Sequence, residues 1–352
     1  MNLNLSSSLR QSGLSLMELM IAITIGFVVV AGVGYVYVSS RQTFRTQNSM
    51  STIQENSRFA LDTMSYDIRM AGYMGCGNFS SIGIHSIASS PVVNIPTGGL
   101  QVFPGGTGWT APAGVTRVSG DVLRVALAQA STGVTITGSM MTTSASLAIT
   151  GNPSNYQAGD VLMVADCQNA DVFVATTVSN SSGTVTIAHG SNSNTTPPFL
   201  FKLYGTSPPP PALIYRFRQI DYFVGCPTVS WTALSSSCSV PIALYQVVNS
   251  VAQPLVDNVE NMYFSLGVDT SPPAKVLGAY QTPAIVDAAS NWANVLTVQI
   301  HLLMVGGPAN DTGSNVAVVP QTYTFNGATS ATPDSRMRQE AIASVGLRNH
   351  LP

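Results

Sequence analysis

Residues Gly13–Glu18 read Gly-Leu-Ser-Leu-Met-Glu, and they are followed directly by the run Leu19–Val38, which contains no charged residue. This run of 20 residues would measure about 30 Å as an α-helix, which matches the hydrocarbon core of a bilayer. A carboxylate at the mouth of such a segment is unfavourable in lipid unless it finds a partner. The pattern predicts a membrane-spanning helix in which Glu18 makes a specific contact.

A secretory signal peptide or a plain signal anchor is the alternative interpretation of this region. A secretory signal normally has a small-residue cleavage site after the apolar run, and Ala31–Gly34 could mimic one. Here Gly13 precedes the run, and the segment before it carries Arg10 and no acid. This order favours cleavage before the helix, which would leave the anchor attached to the mature protein.

The predicted helix continues beyond the apolar run, because residues 39–71 contain neither proline nor glycine. A continuous helix over Leu14–Ala71 would have 58 residues and a length of about 87 Å. Gly72 follows it and suits a helix C-terminus. The alternative is two helices with a break near Gly32 or Gly34. Apolar residues recur in the second half at loosely helical spacing and predict a face that packs on a globular head: Phe44, Ile53, Ala60, Leu61, Met64 and Ile68.

The remaining 280 residues, 73–352, are enough for one large β-rich domain or two small ones. Only 9% of the chain is charged, and its net charge is −2. This balance argues against a nucleic-acid-binding surface. The Pro-rich segment Ser207–Pro211 could divide two lobes, but one continuous domain is favoured because the flanking strands look able to pair across it.

Short β-branched runs separated by turn residues predict that the head consists mostly of strands. Gly98–Gly114, around Trp109, and Gly190–Pro198 are predicted to be loops. Leu255–Met262 is predicted as a short helix, and Arg336–Ser344 is left open as helix or strand. The predicted strands are Val122–Ala128, Val134–Thr137, Asp160–Cys167, Asp171–Val178, Thr184–Ala188, Leu213–Val224, Tyr263–Val268, Val295–Val305 and Thr322–Phe325.

The chain has four cysteines, Cys76, Cys167, Cys226 and Cys238. An even number in a head that must be exported indicates disulfides, and three pairings are possible. A Cys226–Cys238 bond would close a loop of 13 residues, and a Cys76–Cys167 bond would then tie the end of the stalk to the sheet. Four free buried thiols are the alternative. A zinc site is disfavoured because there is no Cys-x-x-Cys pair.

No catalytic motif is present, so the chain is predicted not to be an enzyme and to need no cofactor. The four histidines, His85, His189, His301 and His350, are scattered, and the serine-hydrolase, zinc-protease and phosphate-loop patterns are missing. Three acids that are close in sequence could bind calcium, but their spacing does not fit an EF-hand, and roles as turn caps are favoured: Asp160, Asp166 and Asp171.

Position by position, Gly13–Glu18 resembles the class III leader of type IV prepilins and pseudopilins. The resemblance implies cleavage after Gly13 by a prepilin peptidase and N-methylation of Leu14. It also implies that Glu18 pairs with the terminal amine of a neighbouring subunit, an amine that is mostly cationic at neutral pH because its pKa is about 8. The segments it implies are a leader (1–13), a membrane-spanning and filament-core helix (14–38), the amphipathic half of the stalk (39–72) and a periplasmic β-rich domain (73–352).

Further segments along the chain resemble the PilW family of minor pilins. They are Ala71–Cys76, Gly159–Leu162 leading to Asp166-Cys167, Leu255–Glu260 leading to Gly267–Asp269, Asn294–Ile300 and Leu347–Asn349.

This second resemblance implies a type IV pilin-like α+β fold, in which a long N-terminal helix packs on a large antiparallel β-rich head. It implies a minor pilin that helps initiate pilus assembly and supports twitching motility and adhesion. Its partners would be the prepilin peptidase, other minor pilins, the major pilin and the inner-membrane assembly platform, with a tip adhesin as a further candidate. The protein would span the inner membrane once and then enter the pilus near its tip.

Two other functions remain open at this point. A minor pseudopilin of a type II secretion system would share the leader, the stalk and the β head. A membrane-anchored periplasmic enzyme or binding protein would share only the anchor.

Overall fold

The computed structural model describes residues 15–75, 82–206, 211–228, 242–272, 274–306, 322–331 and 336–350. Its first element is the helix α1, Leu16–Arg69, which runs without interruption for 54 residues. The alternative of two helices broken near Gly32 or Gly34 is therefore wrong. Beyond the helix end, Gly72 adopts a φ of +72°, a backbone conformation that glycine adopts at little cost.

The amino-terminal half of α1 is fully exposed and strongly apolar. Its most apolar 18-residue window has a mean hydropathy of 2.4, with none of it buried against the rest of the chain. By length and composition α1 qualifies as a membrane span. It is thus a candidate membrane anchor that projects from the head.

The carboxyl-terminal half of α1 buries one face against the head. Its buried positions follow the helical period: Ser49, Ile53, Ala60, Met64, Asp67 and Ile68. Phe44, expected on this face, is 71% exposed, and that expectation is wrong. The burial begins only at Ser49, because the helix first meets the head one turn beyond Phe44.

Eighteen strands and one short second helix form the described part of the head. The first ten strands are β1 Gly83–Ser86, β2 Leu100–Phe103, β3 Val115–Ala128, β4 Val134–Thr135, β5 Leu147–Thr150, β6 Val161–Ala165, β7 Asn169–Val174, β8 Thr177–Ser181, β9 Thr184–Ala188 and β10 Leu213–Pro227. The remaining elements are β11 Ala243–Val248, β12 Val251–Asp257, β13 Val259–Asp269, β14 Leu277–Gln281, α2 Pro283–Ala288, β15 Val295–Val305, β16 Thr322–Phe325, β17 Ala328–Ala331 and β18 Arg338–Gly346.

Strand β10 organises the largest sheet, which has nine strands and the path β1-β7-β6-β10-β11-β12. The first part of β10 pairs with β6 and β4, and the later part lies between β3 and β11. All its ladders are antiparallel, whereas β1 and β7 are parallel, so the sheet is mixed. β10 therefore pairs with strands that come before and after it in the chain.

Three smaller sheets complete the head, with the orders β14-β13-β15-β18, β5-β9-β8 and β16-β17. The main core lies where the buried face of α1 meets the nine-stranded and four-stranded sheets, and it includes Met64, Tyr222, Phe264 and Ile300. A second core under β5, β8 and β9 contains no residue of α1. The stalk is thus built into the main core of the head, and this second core stands apart from it.

The predictions for individual strands had mixed outcomes. Thr184–Ala188, Val295–Val305 and Thr322–Phe325 are strands with the predicted ends. Leu255–Met262 is not a helix: β12 and β13 meet there at Asn258, whose φ of +64° makes a turn. The predicted strand Asp171–Val178 is divided into β7 and β8, because the chain leaves one sheet for another.

Two further regions refine the sequence predictions. The predicted loop Gly98–Gly114 contains the strand β2, and Arg336–Ser344 resolves into β18. Most of the Pro-rich segment, residues 207–210, lies outside the described residues.

Candidate functional site

The amino-terminal end of α1 carries Glu18 in its first turn, where it is exposed. Among residues 15–75 and the described parts of the head, none forms an ion pair with it. Gly13 and Leu14, the predicted processing site, lie outside the described residues. Glu18 is therefore placed where a group from another molecule can reach it.

At the other end of the stalk, a buried carboxylate fixes α1 to the large sheet. The side chain of Asp67 is only 3% exposed, and its Oδ2 accepts a hydrogen bond from Tyr222 Oη at 2.6 Å. Gln246 Nε2 donates to the same oxygen at 3.2 Å and to Tyr222 Oη at 2.7 Å. Burial raises the pKa of Asp67 above its usual range, although these hydrogen bonds oppose the rise.

The last described residues of the chain cap the carboxyl end of α1. The backbone N–H of Arg348 donates to Arg69 O at 3.2 Å, and Asn349 Nδ2 donates to Ala71 O at 2.9 Å. The last carbonyl groups of a helix have no partner within it and need such donors. The tail therefore supplies hydrogen-bond donors to carbonyl groups at the end of the stalk.

His350 locks the same tail to the head. Its Nδ1 lies 2.8 Å from Val295 O, and its Nε2 lies 2.7 Å from Gly98 O. Burial lowers the pKa of His350, and the two carbonyl contacts oppose this shift. Gly98 is needed here, because its φ is +77° and a Cβ at this position would lie 2.9 Å from the His350 ring.

A close approach also occurs lower on the stalk, beside Ser49. A Cβ atom built on Gly306 would lie 2.9 Å from the Ser49 Cβ. Gly306, which follows β15, thus lets the helix contact the four-stranded sheet at the point where burial of α1 begins.

The glycine-rich segment around Trp109 is held firmly on the sheet. Trp109 Nε1 donates to Asp221 Oδ2 at 2.7 Å, and Arg124 forms two hydrogen bonds of 2.7 and 2.8 Å to the same carboxylate. The indole also packs on Phe223, with ring centroids 4.9 Å apart. This segment is therefore structured, which the abundance of glycine did not indicate.

The three aspartates considered for calcium are occupied by protein donors. Asp160 accepts from Arg216, and Asp166 pairs with Lys202 and caps the turn before β7. Asp171 is fully buried and accepts from Tyr204 Oη at 2.7 Å and from the Phe201 backbone N–H. Within the described residues, no group of His, Cys, Asp and Glu side chains is arranged to hold a metal ion.

The histidines are dispersed through the head and make separate contacts. His85 contacts Asp171 at 2.7 Å, and His301 contacts Glu340 at 2.8 Å. His189 lies between two backbone carbonyls, Pro198 O and Ala145 O. Each of these three histidines therefore makes its own contact within the head.

Both described cysteines, Cys167 and Cys226, are disulfide-bonded. Cys167 follows β6 and has a φ of +69°, and Cys226 is buried in β10. Cys76 and Cys238 lie outside the described residues, so the pairing stays a prediction.

Four of the residues that join stalk and head were missed by the sequence reasoning: Asp67, Tyr222, Asn349 and His350. One signal was available for Asp67, since it lies three and seven positions after Met64 and Ala60, on the predicted buried face. Asn349 lies in the segment Leu347–Asn349 that resembles the PilW family, although that resemblance did not indicate its contact. Tyr222 and His350 had no signal, because their partners are distant in sequence.

A long helix with an exposed apolar half, joined through a buried polar contact to a β-rich head, defines a stalk-and-head protein with a candidate membrane anchor. The family model described as type IV pilus-assembly protein W, PilW, matches residues 232–349. This match of 118 of the 352 residues confirms the resemblance to the PilW family over that part. It supports a protein related to type IV pilus assembly. Comparisons with curated proteins and with solved structures found no match.

Proposed function

We propose that the protein is a minor pilin that helps initiate assembly of a type IV pilus. The observation that carries this proposal is the shape of α1, whose apolar half makes no buried contact with its own head. Such a surface needs lipid or other protein to cover it. In a subunit that starts in the membrane and ends in a filament, lipid covers this surface first and neighbouring subunits cover it later. The PilW match supports a protein of type IV pilus assembly.

The proposed sequence of events begins with insertion, with the leader in the cytoplasm and the head in the periplasm. Disulfides form there, the prepilin peptidase cuts after Gly13, and the amine of Leu14 is methylated. Glu18 then accepts the cationic amine of a neighbouring subunit. Contacts between residues 14–38 of adjacent subunits replace the contacts with lipid.

The proposed partners are other minor pilins, the major pilin and the inner-membrane assembly platform, with a tip adhesin as a further candidate. A position near the tip suits a head with 18 described strands, because every neighbour in a repeating shaft would have to accommodate its bulk. Support of twitching motility and adhesion would follow from priming the filament. Immunogold labelling restricted to filament ends is expected, and labelling along the whole shaft would contradict the tip position.

The decisive experiment is mass spectrometry of the amino terminus of protein isolated from membranes. Strains with and without the prepilin peptidase are compared. The proposal expects a peptide that begins at methylated Leu14 only when the peptidase is present. An intact terminus in both strains, or cleavage near Ala31–Gly34, would exclude the pilin class.

A further inference from the structure

An open groove of about 810 Å³ lies beside the stalk, between the exposed face of α1 and the end of β12. Its charged residues are three acids, Glu55, Asp62 and Asp257, and one base, Arg58. Arg58 Nε lies 3.7 Å from Asp62 Oδ2, and the two side chains are 86% and 75% exposed, so this ion pair contributes little. The groove therefore holds an excess of negative charge.

The walls of the groove favour the binding of side chains over the pairing of an added strand with β12. Phe59 is 54% exposed and Leu255 is half-buried, and both offer apolar surface to the stems of long basic side chains. β12 lies at the edge of the nine-stranded sheet. Pro254 and a register shift next to Tyr245 make its edge a poor template for pairing.

The complementary charge lies nearer the membrane end of the same stalk. Arg41 and Arg45 are exposed, and residues 39–54 contain no acid. Arg41 precedes Glu55 by 14 residues and Arg45 precedes Asp62 by 17, which corresponds to about 21–26 Å along a helix. Two parallel stalks displaced by that distance would place the arginines of one beside the groove of the other.

Two copies that both rest in the bilayer cannot adopt this displacement. The apolar run Leu19–Val38 is about as long as the hydrocarbon core is thick, so both copies sit at the same depth. A shift of about 21–26 Å along the helix would take most of one run out of the lipid. The contact is therefore available only when one copy has moved outward along the axis of the other.

We propose that this groove binds the Arg41–Arg45 segment of a second copy of the chain that lies beside it near the filament tip, and that the contact forms only on extraction from the membrane. The inference rests on the proposed function, because filament assembly is what supplies the displacement. The groove would therefore bind a neighbouring copy that is already displaced along the helix axis, and would not bind a copy that is still level with it in the bilayer.

Cysteine cross-linking of the full chain in cells tests the displacement. Two copies with different tags are co-expressed, one carrying Ser40→Cys and the other Gln54→Cys, and the pili are sheared off and oxidised. A cross-link between the two tags is expected in the pilus fraction and at least ten-fold less in the membranes of a strain without the assembly ATPase. The matched control is the level pair, Gln54→Cys on both copies, which is expected not to cross-link in pili.

Charge reversal tests the recognition itself. Arg41→Glu with Arg45→Glu on one copy, or Glu55→Arg with Asp62→Arg on the other, is expected to lower the cross-link at least ten-fold. Combining the two reversed copies is expected to restore it, which loss of folding could not do.

The possible failures are distinguishable. Methylated Leu14 and protein in the pili, without the Ser40–Gln54 cross-link or without charge-swap rescue, would overturn the groove and leave the proposed function standing. Equal cross-linking in membranes and pili would overturn the extraction requirement. Unprocessed protein that never reaches the pili would overturn both proposals.

Discussion

The side-chain amide of Asn349 donates a hydrogen bond of 2.9 Å to the carbonyl oxygen of Ala71, although the two residues are 278 positions apart in the chain. The contact joins the last described residues of the head to the end of the stalk. It satisfies the buried carbonyl group of Ala71, which lies two residues beyond the end of α1. The position of the stalk relative to the head thus depends on a residue far from it in sequence.

Replacing Asn349 by alanine should weaken this joint. The free energy of unfolding is expected to fall by about 1–2 kcal/mol, the usual effect of leaving a buried acceptor unpaired. Urea denaturation of the full chain in detergent micelles measures the change. Arg348→Ala is the matched control, because its side chain is exposed and only its backbone contacts the helix. Equal effects of the two substitutions would contradict the assigned role.

Asp67 predicts a pH dependence of stability. Because burial raises its pKa above the ordinary value of 3.8, the folded state holds this proton more tightly than the unfolded chain. The stabilisation from the group is fully present below pH 3.8 and is lost as the pH rises through the raised pKa. Asp67→Asn should remove this loss, so that the variant gains stability relative to the native chain over that window.

The control for Asp67→Asn is Asp62→Asn, the same substitution on the exposed side of the same helix. Tyr222→Phe tests the hydrogen bond that Tyr222 Oη donates to Asp67. It should destabilise the protein by about 1–3 kcal/mol at neutral pH, because the buried carboxylate loses its shortest hydrogen bond. A native pH profile in Asp67→Asn would show that another group is responsible.

Glu18→Ala should separate folding from assembly. Glu18 is exposed and makes no ion pair with the described residues, so membrane insertion and the melting temperature of the head should not change. The amount of protein in sheared pili should fall at least ten-fold, and Glu18→Gln should behave alike because it also lacks the charge. Thr24→Ala, which removes an exposed polar group from the same helix, is the control. Normal incorporation of Glu18→Ala would exclude the proposed role of the carboxylate.

Removing each predicted disulfide should lower the free energy of unfolding by a different amount. On loop-closure entropy, a Cys76–Cys167 bond is worth about 4.5 kcal/mol and a Cys226–Cys238 bond about 3 kcal/mol. Removing both cysteines of a pair by serine substitution should destabilise the head in that order. Peptide mapping without reduction determines the pairing first, and a peptide linking Cys167 to Cys226 would refute it.

The features that sequence predicted well are those set by local periodicity. The absence of proline and glycine between residues 39 and 71 predicted the amphipathic half of α1, and the β-branched run Val295–Val305 predicted β15 with both its ends. The helix predicted for Leu255–Met262 was wrong because its apolar residues, at positions 255, 256, 259 and 262, have helical spacing. The turn at Asn258 instead divides the segment between two strands. The prediction that Phe44 packs on the head was wrong because periodicity identifies the face of a helix and not the position along it where contact with the head begins.

The joints between stalk and head were beyond local patterns. Asp67 and Tyr222 form a hydrogen bond although they are 155 positions apart. The local sequence around each residue gives no indication of its partner. Gly306 looks like an ordinary glycine after a strand, and its use is evident only when Ser49 is placed beside it. Such contacts are fixed by the packing of the whole head.

In the proposed filament, tension along the stalk would reach β10 through Asp67, in addition to the strands β12, β15 and β18 on which α1 packs. The stalk is attached to β10 through Asp67 and Tyr222. Tyr222 faces Leu123 of β3 on one side and Gln246 of β11 on the other. A force applied to the helix is therefore shared at once by two ladders of backbone hydrogen bonds in the interior of the sheet. Attachment to the edge strands β12 and β18 alone would instead let those strands peel away one bond at a time.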